Sequence, residues 1–374
     1  MLKSLKNHIT NLPGWRTRHK IVVFESDDWG SIRSCPKQSH PSFVNSFPDS
    51  KNNPYLCYDT LANSDDLNAL YNLLSGFKDY RGNYPVFTFN TVVSNPRFDL
   101  IKNSGFLEYF YEPFTTTLKR YYPNQNVFQY WRQGIDNGLI MPQFHGREHV
   151  NVPIWLKNLR SGDLELLKAF QFNTWSTPIG KDAYTGIKLQ AALDWANEQP
   201  LDYQKKFIVE GLTLFNDIFG YRSKTMIANN FILDSNLHPL ILKNGIHFLQ
   251  GMKYQVLPFG TRSHHKYVRR KLGVKDYLGM NFLIRNCTFE PSQTKENYDD
   301  VGICLRQIQS AFLWGKPAVI STHRLNYIGE LDENNRRINL LKLNELLNII
   351  TKTWPDVEFL SSPNLSEMID KTAS

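Results

Sequence analysis

Three short polar segments, each seated at the end of an apolar run, carry the side chains of this chain best suited to chemistry. Ile21-Val22-Val23-Phe24 leads into Glu25-Ser26-Asp27-Asp28-Trp29-Gly30. Leu139-Ile140-Met141-Pro142-Gln143-Phe144 leads into His145-Gly146-Arg147-Glu148-His149, and Ala318-Val319-Ile320 into Ser321-Thr322-His323-Arg324. Each reads as a buried strand delivering acids or histidines at its C-terminal end, where parallel α/β proteins build their sites. Two carboxylates, two histidines four residues apart and a third histidine are the donors of a divalent-metal site with an acid and a base beside it.

His145 and His149 have the i, i+4 spacing that places two imidazoles on one face of a helical turn, within reach of one ion. The segment is not HExxH, because Gly146 follows the first histidine and Glu148 precedes the second, which argues against a zincin protease. A carboxylate is the usual third ligand of a catalytic zinc, leaving one position open for water, and Asp28 is the natural candidate. Adjacent residues at a strand end point to opposite sides unless the strand has turned, so Asp28 can ligate while Asp27 faces the water. Alone, each motif has a bland reading: a solvated histidine pair, a turn-capping Asp-Asp, a core histidine. Together they favour chemistry, with His323 as general acid for a leaving amine or alcohol.

The elements that must position these groups alternate. Strands are expected at Ile21–Phe24, Val86–Val93, Leu139–Phe144, Thr225–Asn229, Ile246–Leu249, Asn281–Ile284, Ala318–Ser321 and Val357–Leu360. Helices are expected at Asp59–Phe77, with Ser64 as an N-cap, and at Val152–Leu159, Leu164–Phe170, Leu201–Phe219, Leu237–Asn244, Val301–Leu313 and Arg337–Thr353. This rhythm argues for α/β architecture with a parallel sheet. The active residues come from the first to the seventh strand, which an open sheet would hold far apart. A distorted (β/α) barrel brings them to one mouth. Segments 34–58 and 252–280 are the least regular and read as long loops walling the cleft.

The 374 residues, 41% hydrophobic and 21% charged, support a packed core and exclude global disorder. Net charge is +8, with pI about 9.1. The Lys and Arg residues are scattered, the one dense run being Arg262–Lys271, and no nucleic-acid-binding signature occurs, so no nucleic acid is expected as partner. Four cysteines lack CxxC pairing and read as free thiols. The basic N-terminus lacks the apolar core of a signal peptide, and no run approaches a membrane span, so a cytoplasmic protein is expected.

The order Asp-Asp, His-x-x-x-His, a later arginine and a strand ending in His resembles the polysaccharide deacetylase family, family four of the carbohydrate esterases. The resemblance runs from about Lys20 to Leu360 and is carried by these motifs. It implies one catalytic domain over residues 1–374, with its core at 20–360, and a distorted (β/α)7 barrel. It also implies removal of N-acetyl or O-acetyl groups from a carbohydrate substrate. The implied cofactor is a divalent metal, zinc first, with cobalt, nickel and manganese as alternatives, held by Asp28, His145 and His149. It implies Asp27 as general base, His323 as catalytic acid and Arg222 as the arginine that orients the base. The family's Asp-x-x-Asp-Trp motif, whose acid holds the catalytic histidine, has no clean counterpart; Glu290, after the sixth strand, is the candidate for that role and is also counted among the candidate substrate contacts. Trp29, Asn90, Arg147, Asn229 and Asn230, at expected strand ends, are candidate substrate contacts. The chain departs from the family in its first motif, where Glu-Ser-Asp-Asp-Trp-Gly replaces Thr-Phe-Asp-Asp-Gly. It departs again at Gly146, and at Ser223, which stands where proline is usual. The alternatives are a glycoside hydrolase or another amidohydrolase on a similar barrel, or an inactive glycan-binding protein.

Overall fold

A computed structural model describes residues 8–197, 200–262, 264–295 and 297–373. Its main sheet has nine strands: β1 Lys20–Trp29, β2 Phe87–Thr91, β3 Ile140–Phe144, β4 Thr225–Met226, β5 Phe248–Gly251, β6 Asn281–Ile284, β7 Cys287–Thr288, β8 Ala318–His323 and β9 Val357–Phe359. The order is β6-β5-β4-β3-β2-β1-β8-β7, with β9 beside the start of β1. Every pairing in it is parallel. β1 is buried from Ile21 to Trp29, as a strand covered on both faces must be.

The two ends of that order meet. Only Arg285 and Asn286 separate β6 from β7. The Arg285 N–H still bonds to Gly251 of β5, whereas the next N–H, of Asn286, bonds to Val319 of β8. One bent run of chain thus leaves one edge of the sheet and joins the other. The sheet curls into a distorted parallel α/β barrel, and the ends of β1, β3 and β8 share a mouth.

Odd-numbered β1 residues face one side: Ile21 and Val23 join Val319, Leu283, Leu365 and Ile369 in one buried cluster. Val22 and Phe24 face the other, with Phe87, Ile308 and Leu347 from strand and covering helices. Leu365 and Ile369 belong to a helix at Ser362–Ala373 that the sequence pattern does not announce. Burying each is worth about 1.5–3 kcal/mol, which secures the barrel below the site.

Local chemistry moves several boundaries. The helix expected from Asp59 begins at Ser64. Asn63, not Ser64, caps it, accepting from the Asp66 N–H while Asp66 accepts from the Asn63 N–H. Asp59 is instead drawn into a buried pair with Arg324, at 2.7 Å. The fourth strand stops at Met226, and Asn230 turns the chain at φ 54°. Segment 34–58 holds helices at His40–Ser46 and Pro54–Tyr58, and segment 252–280 holds a hairpin, Tyr254–Val256 with Tyr267–Arg269. All four cysteines are free thiols. Among the described residues no helix is long and apolar enough to cross a membrane.

Candidate active site

Glu25 and Asp27 project from the same side of β1, and Arg285 lies across both. Its Nη1 and Nη2 grip the two Asp27 oxygens at 2.7 and 2.6 Å, and its Nε reaches Glu25 at 2.6 Å. The bend between β6 and β7 puts this guanidinium inside the barrel, fully buried. Asn90 adds a 2.7 Å bond to Asp27 Oδ1. Burial by itself would raise the Asp27 pKa. The bidentate Arg285, with His145 and His323, outweighs it and holds the carboxyl below its ordinary value. Glu25 has the opposite balance: burial dominates and raises its pKa despite Arg285.

By strict alternation Asp28 would face away from Asp27. The register of β1 against β2 slips between Ser26 and Trp29, and Asp28 adopts φ 71°. This left-handed step, which costs a non-glycine residue of order 1 kcal/mol, turns Asp28 into the same mouth.

His145 and His149 do not sit on a helix, contrary to the expectation from their spacing. They flank a loop held by backbone bonds to the β2 end, His145 N–H to Thr91 and Val93 N–H to Gly146. Gly146 turns the loop at φ 114°, where a Cβ would meet Asn229 Oδ1 at 2.9 Å. The loop folds back so that the two rings stand 5.3 Å apart between centroids.

Asp28 Oδ1 lies 3.3 Å from His145 Nε2 and 3.0 Å from His149 Nε2. Donors around one tetrahedral zinc, at ~2.0–2.2 Å each, stand about 3.3 Å apart, so the three groups fit such an ion. The tautomer of His145 fits as well. His145 donates Nδ1–H to the Ile227 carbonyl at 3.0 Å, which leaves Nε2 as the ligand atom. Burial pushes the His149 pKa down to about 4, so its ring is neutral. Burial opposes ionisation of Asp28, but Arg33 first, then His149 and His145, keep its pKa well below the ordinary value. Arg33 Nε lies 3.9 Å from Asp28 Oδ2, and Nη1 lies 3.2 Å from His149 Nδ1.

His323 closes the mouth. It pairs in register with Asp27 across β1 and β8, and its Nε2 stands 3.9 Å from Asp27 Oδ2. On the far side Nδ1–H donates to Glu290 Oε1 at 2.6 Å. The second Glu290 oxygen accepts from Gln293 and Asn326. Burial lowers the His323 pKa, yet the Glu290 carboxylate, with Asp27 and Asp28, carries it up to about 9. The imidazolium is therefore the neutral-pH form. These groups line a cavity of about 290 Å³ together with Tyr55, whose ring meets His323 edge-on.

The remaining expected contacts divide. Asn230 lines the cavity. Asn90 orients Asp27, and Asn229 donates to the His145 carbonyl, so both act through another residue. Trp29 does not face the cavity. It is 1% exposed, stacked on Phe89, with its N–H on Ser26 Oγ, because the turn at Asp28 returns it to the core. Arg147 points away too, into a buried pair with Glu148 and against the Tyr111 ring. Arg222 is exposed and precedes β4, so it lies at the opposite end of the sheet from the mouth, and the arginine on Asp27 is Arg285. Arg285 follows the apolar run of β6 directly, the same signal that marks the other motifs. Nothing comparable marks Arg33 or Gln190, which loops bring to the cavity, or Tyr55, which the short helix Pro54–Tyr58 brings. Segment 34–58 does supply Tyr55 to its wall, while none of the residues lining it comes from 252–280.

No family model matches the sequence, and neither does any curated protein. Several solved structures are similar to this chain in outline. Puue allantoinase aligns over 95% of this chain and 93% of its own at 10% identity, with a TM-score of 0.48. A Mycobacterium smegmatis protein assigned to the polysaccharide deacetylases aligns over 96% and 94% at 11% identity, TM-score 0.44. The peptidoglycan deacetylase PdaC of Bacillus subtilis aligns over 95% and 93% at 10% identity, TM-score 0.37. Likeness of this degree does not carry an activity from one protein to another.

Proposed function

We propose that the chain is a single catalytic unit, its core at residues 20–360, that hydrolyses the acetamido group of an N-acetylated amino sugar with a divalent cation, zinc first, at Asp28, His145 and His149. The observation that carries this reading is the opposition of Asp27 and His323 beside that cluster, each held by its own counter-ion. A cation at those ligands supplies a Lewis acid for the amide carbonyl and acidifies an attacking water. Asp27, ionised and fixed by Arg285 and Asn90, accepts the proton as the water oxygen bonds to the carbonyl carbon. The C–N bond then breaks, and His323 Nε2–H protonates the departing nitrogen. Acetate and a free amine result. Glu290 keeps His323 charged and aims Nε2 at the mouth. A glycosidase would need a carboxylic acid poised as proton donor. Here Asp27 and Asp28 are both held ionised.

The test is acetate release with mass spectrometry on acetylated hexosamines, their oligomers and nucleotide sugars. Loss of one acetyl group per event, abolished by chelator and restored by zinc, is expected. Shortened oligomers that keep their acetyl groups would favour the glycosidase. Turnover of a non-sugar amide alone would favour a general amidohydrolase.

A further inference from the structure

A second cavity, of about 180 Å³, adjoins the first and shares Arg33, Tyr55, Lys188 and Gln190 with it. The two form one cleft with opposite electrical ends. Asp27, Asp28 and the histidines occupy the first part. The second is lined by Arg33, Lys181 and Lys188, and no acidic residue is among its lining residues. Lys181 and Lys188 pair across an antiparallel backbone bridge, which sets their Cα atoms opposite one another. Both side chains are exposed to whatever enters.

Arg33 is the fixed part of this end. It is 3% exposed and lies between two rings, Tyr55 at 4.7 Å and Trp175 at 5.2 Å. Its Nη2 donates to Gln190 at 2.9 Å, its Nη1 faces His149, and its Nε is turned toward Asp28 Oδ2 at 3.9 Å. A buried, immobilised guanidinium whose charge is shared with Asp28, next to two lysines at the cleft wall, makes this end positive and suited to oxyanions.

We infer that the amino sugar carries an anionic oxygen group, phosphoryl or carboxylate, which Lys181, Lys188 and Arg33 hold while its acetamido group lies at Asp28, His145 and His149. This rests on the proposed function for the identity of the reacting end, but the anion subsite is testable by binding alone. Long-range attraction also fits, since the chain is +8 overall and the acids of the cleft are confined to its catalytic part.

The experiment is calorimetric binding of four probes to the full chain: a neutral N-acetylhexosamine, its 1-phosphate, its 6-phosphate and the corresponding N-acetylhexosaminuronic acid. At least one anionic probe should bind about tenfold or more tightly than the neutral sugar, and the preference should shrink as salt rises. Comparing the phosphate and uronate arms identifies the anion. The paired change Lys181→Gln with Lys188→Gln should bring anionic and neutral probes within about twofold, whereas Lys181→Arg with Lys188→Arg should keep the preference. Equal binding of anionic and neutral probes, no binding of any probe, or a preference that survives the glutamine pair would each overturn the subsite. A preserved binding preference without acetate release from any probe would instead overturn the proposed reaction and leave the subsite standing.

Discussion

Replacing Glu290 by Gln removes one charge and the oxygen that accepts from Gln293 and Asn326. Gln keeps the length of the side chain and its acceptor oxygen toward His323 Nδ1–H, so the ring should stay aimed. What changes is the proton affinity of the ring. In the folded chain its pKa stands at about 9 against an ordinary 6.5, because the Glu290 carboxylate outweighs burial. At 1.36 kcal/mol per pH unit, that interval is about 3 kcal/mol of preference for imidazolium. The side chain is 20% exposed, so solvent screening trims the figure only modestly. With Glu290 neutral, burial opposes only Asp27 and Asp28, and the pKa should fall by at least about one unit. A raised folded-state pKa contributes stability that is complete below about pH 6.5 and is lost as pH rises through about 9. The variant should therefore lose stability mainly at neutral pH and below. In the acetate-release assay, the alkaline limb of kcat/KM should descend near pH 9 in the native chain and at least one unit lower in the variant. Activity at pH 8 should fall about twofold for a one-unit shift, and further for a larger one, with little change at pH 6. An NMR titration of the His323 ring reads the same shift without turnover. An unmoved limb together with an unmoved ring pKa would refute both the role of Glu290 and the assignment of His323 as acid.

Asp27→Asn and His323→Ala should each cut turnover by ~10²–10⁴ while metal content, measured by elemental analysis, stays intact. Lost metal would mean their roles are misassigned. His145→Ala or His149→Ala should abolish stoichiometric zinc and, with it, the rise in melting temperature that added zinc produces in the native chain. Arg285→Met should destabilise by about 3–5 kcal/mol in urea unfolding, because it strands Glu25 and Asp27 as buried carboxyls without a cation. Arg222→Ala, exposed at the far end of the sheet, should stay within about 0.5 kcal/mol. A destabilisation of similar size for both would undo the placement of Arg285.

The three strands that deliver Asp27, His145 and His323 were legible because a fully buried parallel strand is an uninterrupted apolar run, and the polar residues that break it mark its end. Composition likewise determined that the chain folds around a large core, and the alternation of strand and helix patterns determined a parallel α/β architecture. These are local properties, written in residues that adjoin one another. Tertiary structure decided how the residues face. Asp28 shares a mouth with Asp27 only because the β1 register slips and the backbone turns left-handed, and the same turn takes Trp29 into the core. The histidines converge through a loop folded at Gly146 rather than through helical spacing. Arg222 and Arg285 are both arginines beside a strand. Which of them meets Asp27 depends on whether it stands before or after its strand, and on the bend that closes the barrel between β6 and β7. Arg33, Lys188 and Tyr55, the last on a one-turn helix, come from segments with no shared pattern, since positions in loops and short turns are specified by the long-range contacts that hold them and not by any period in the chain.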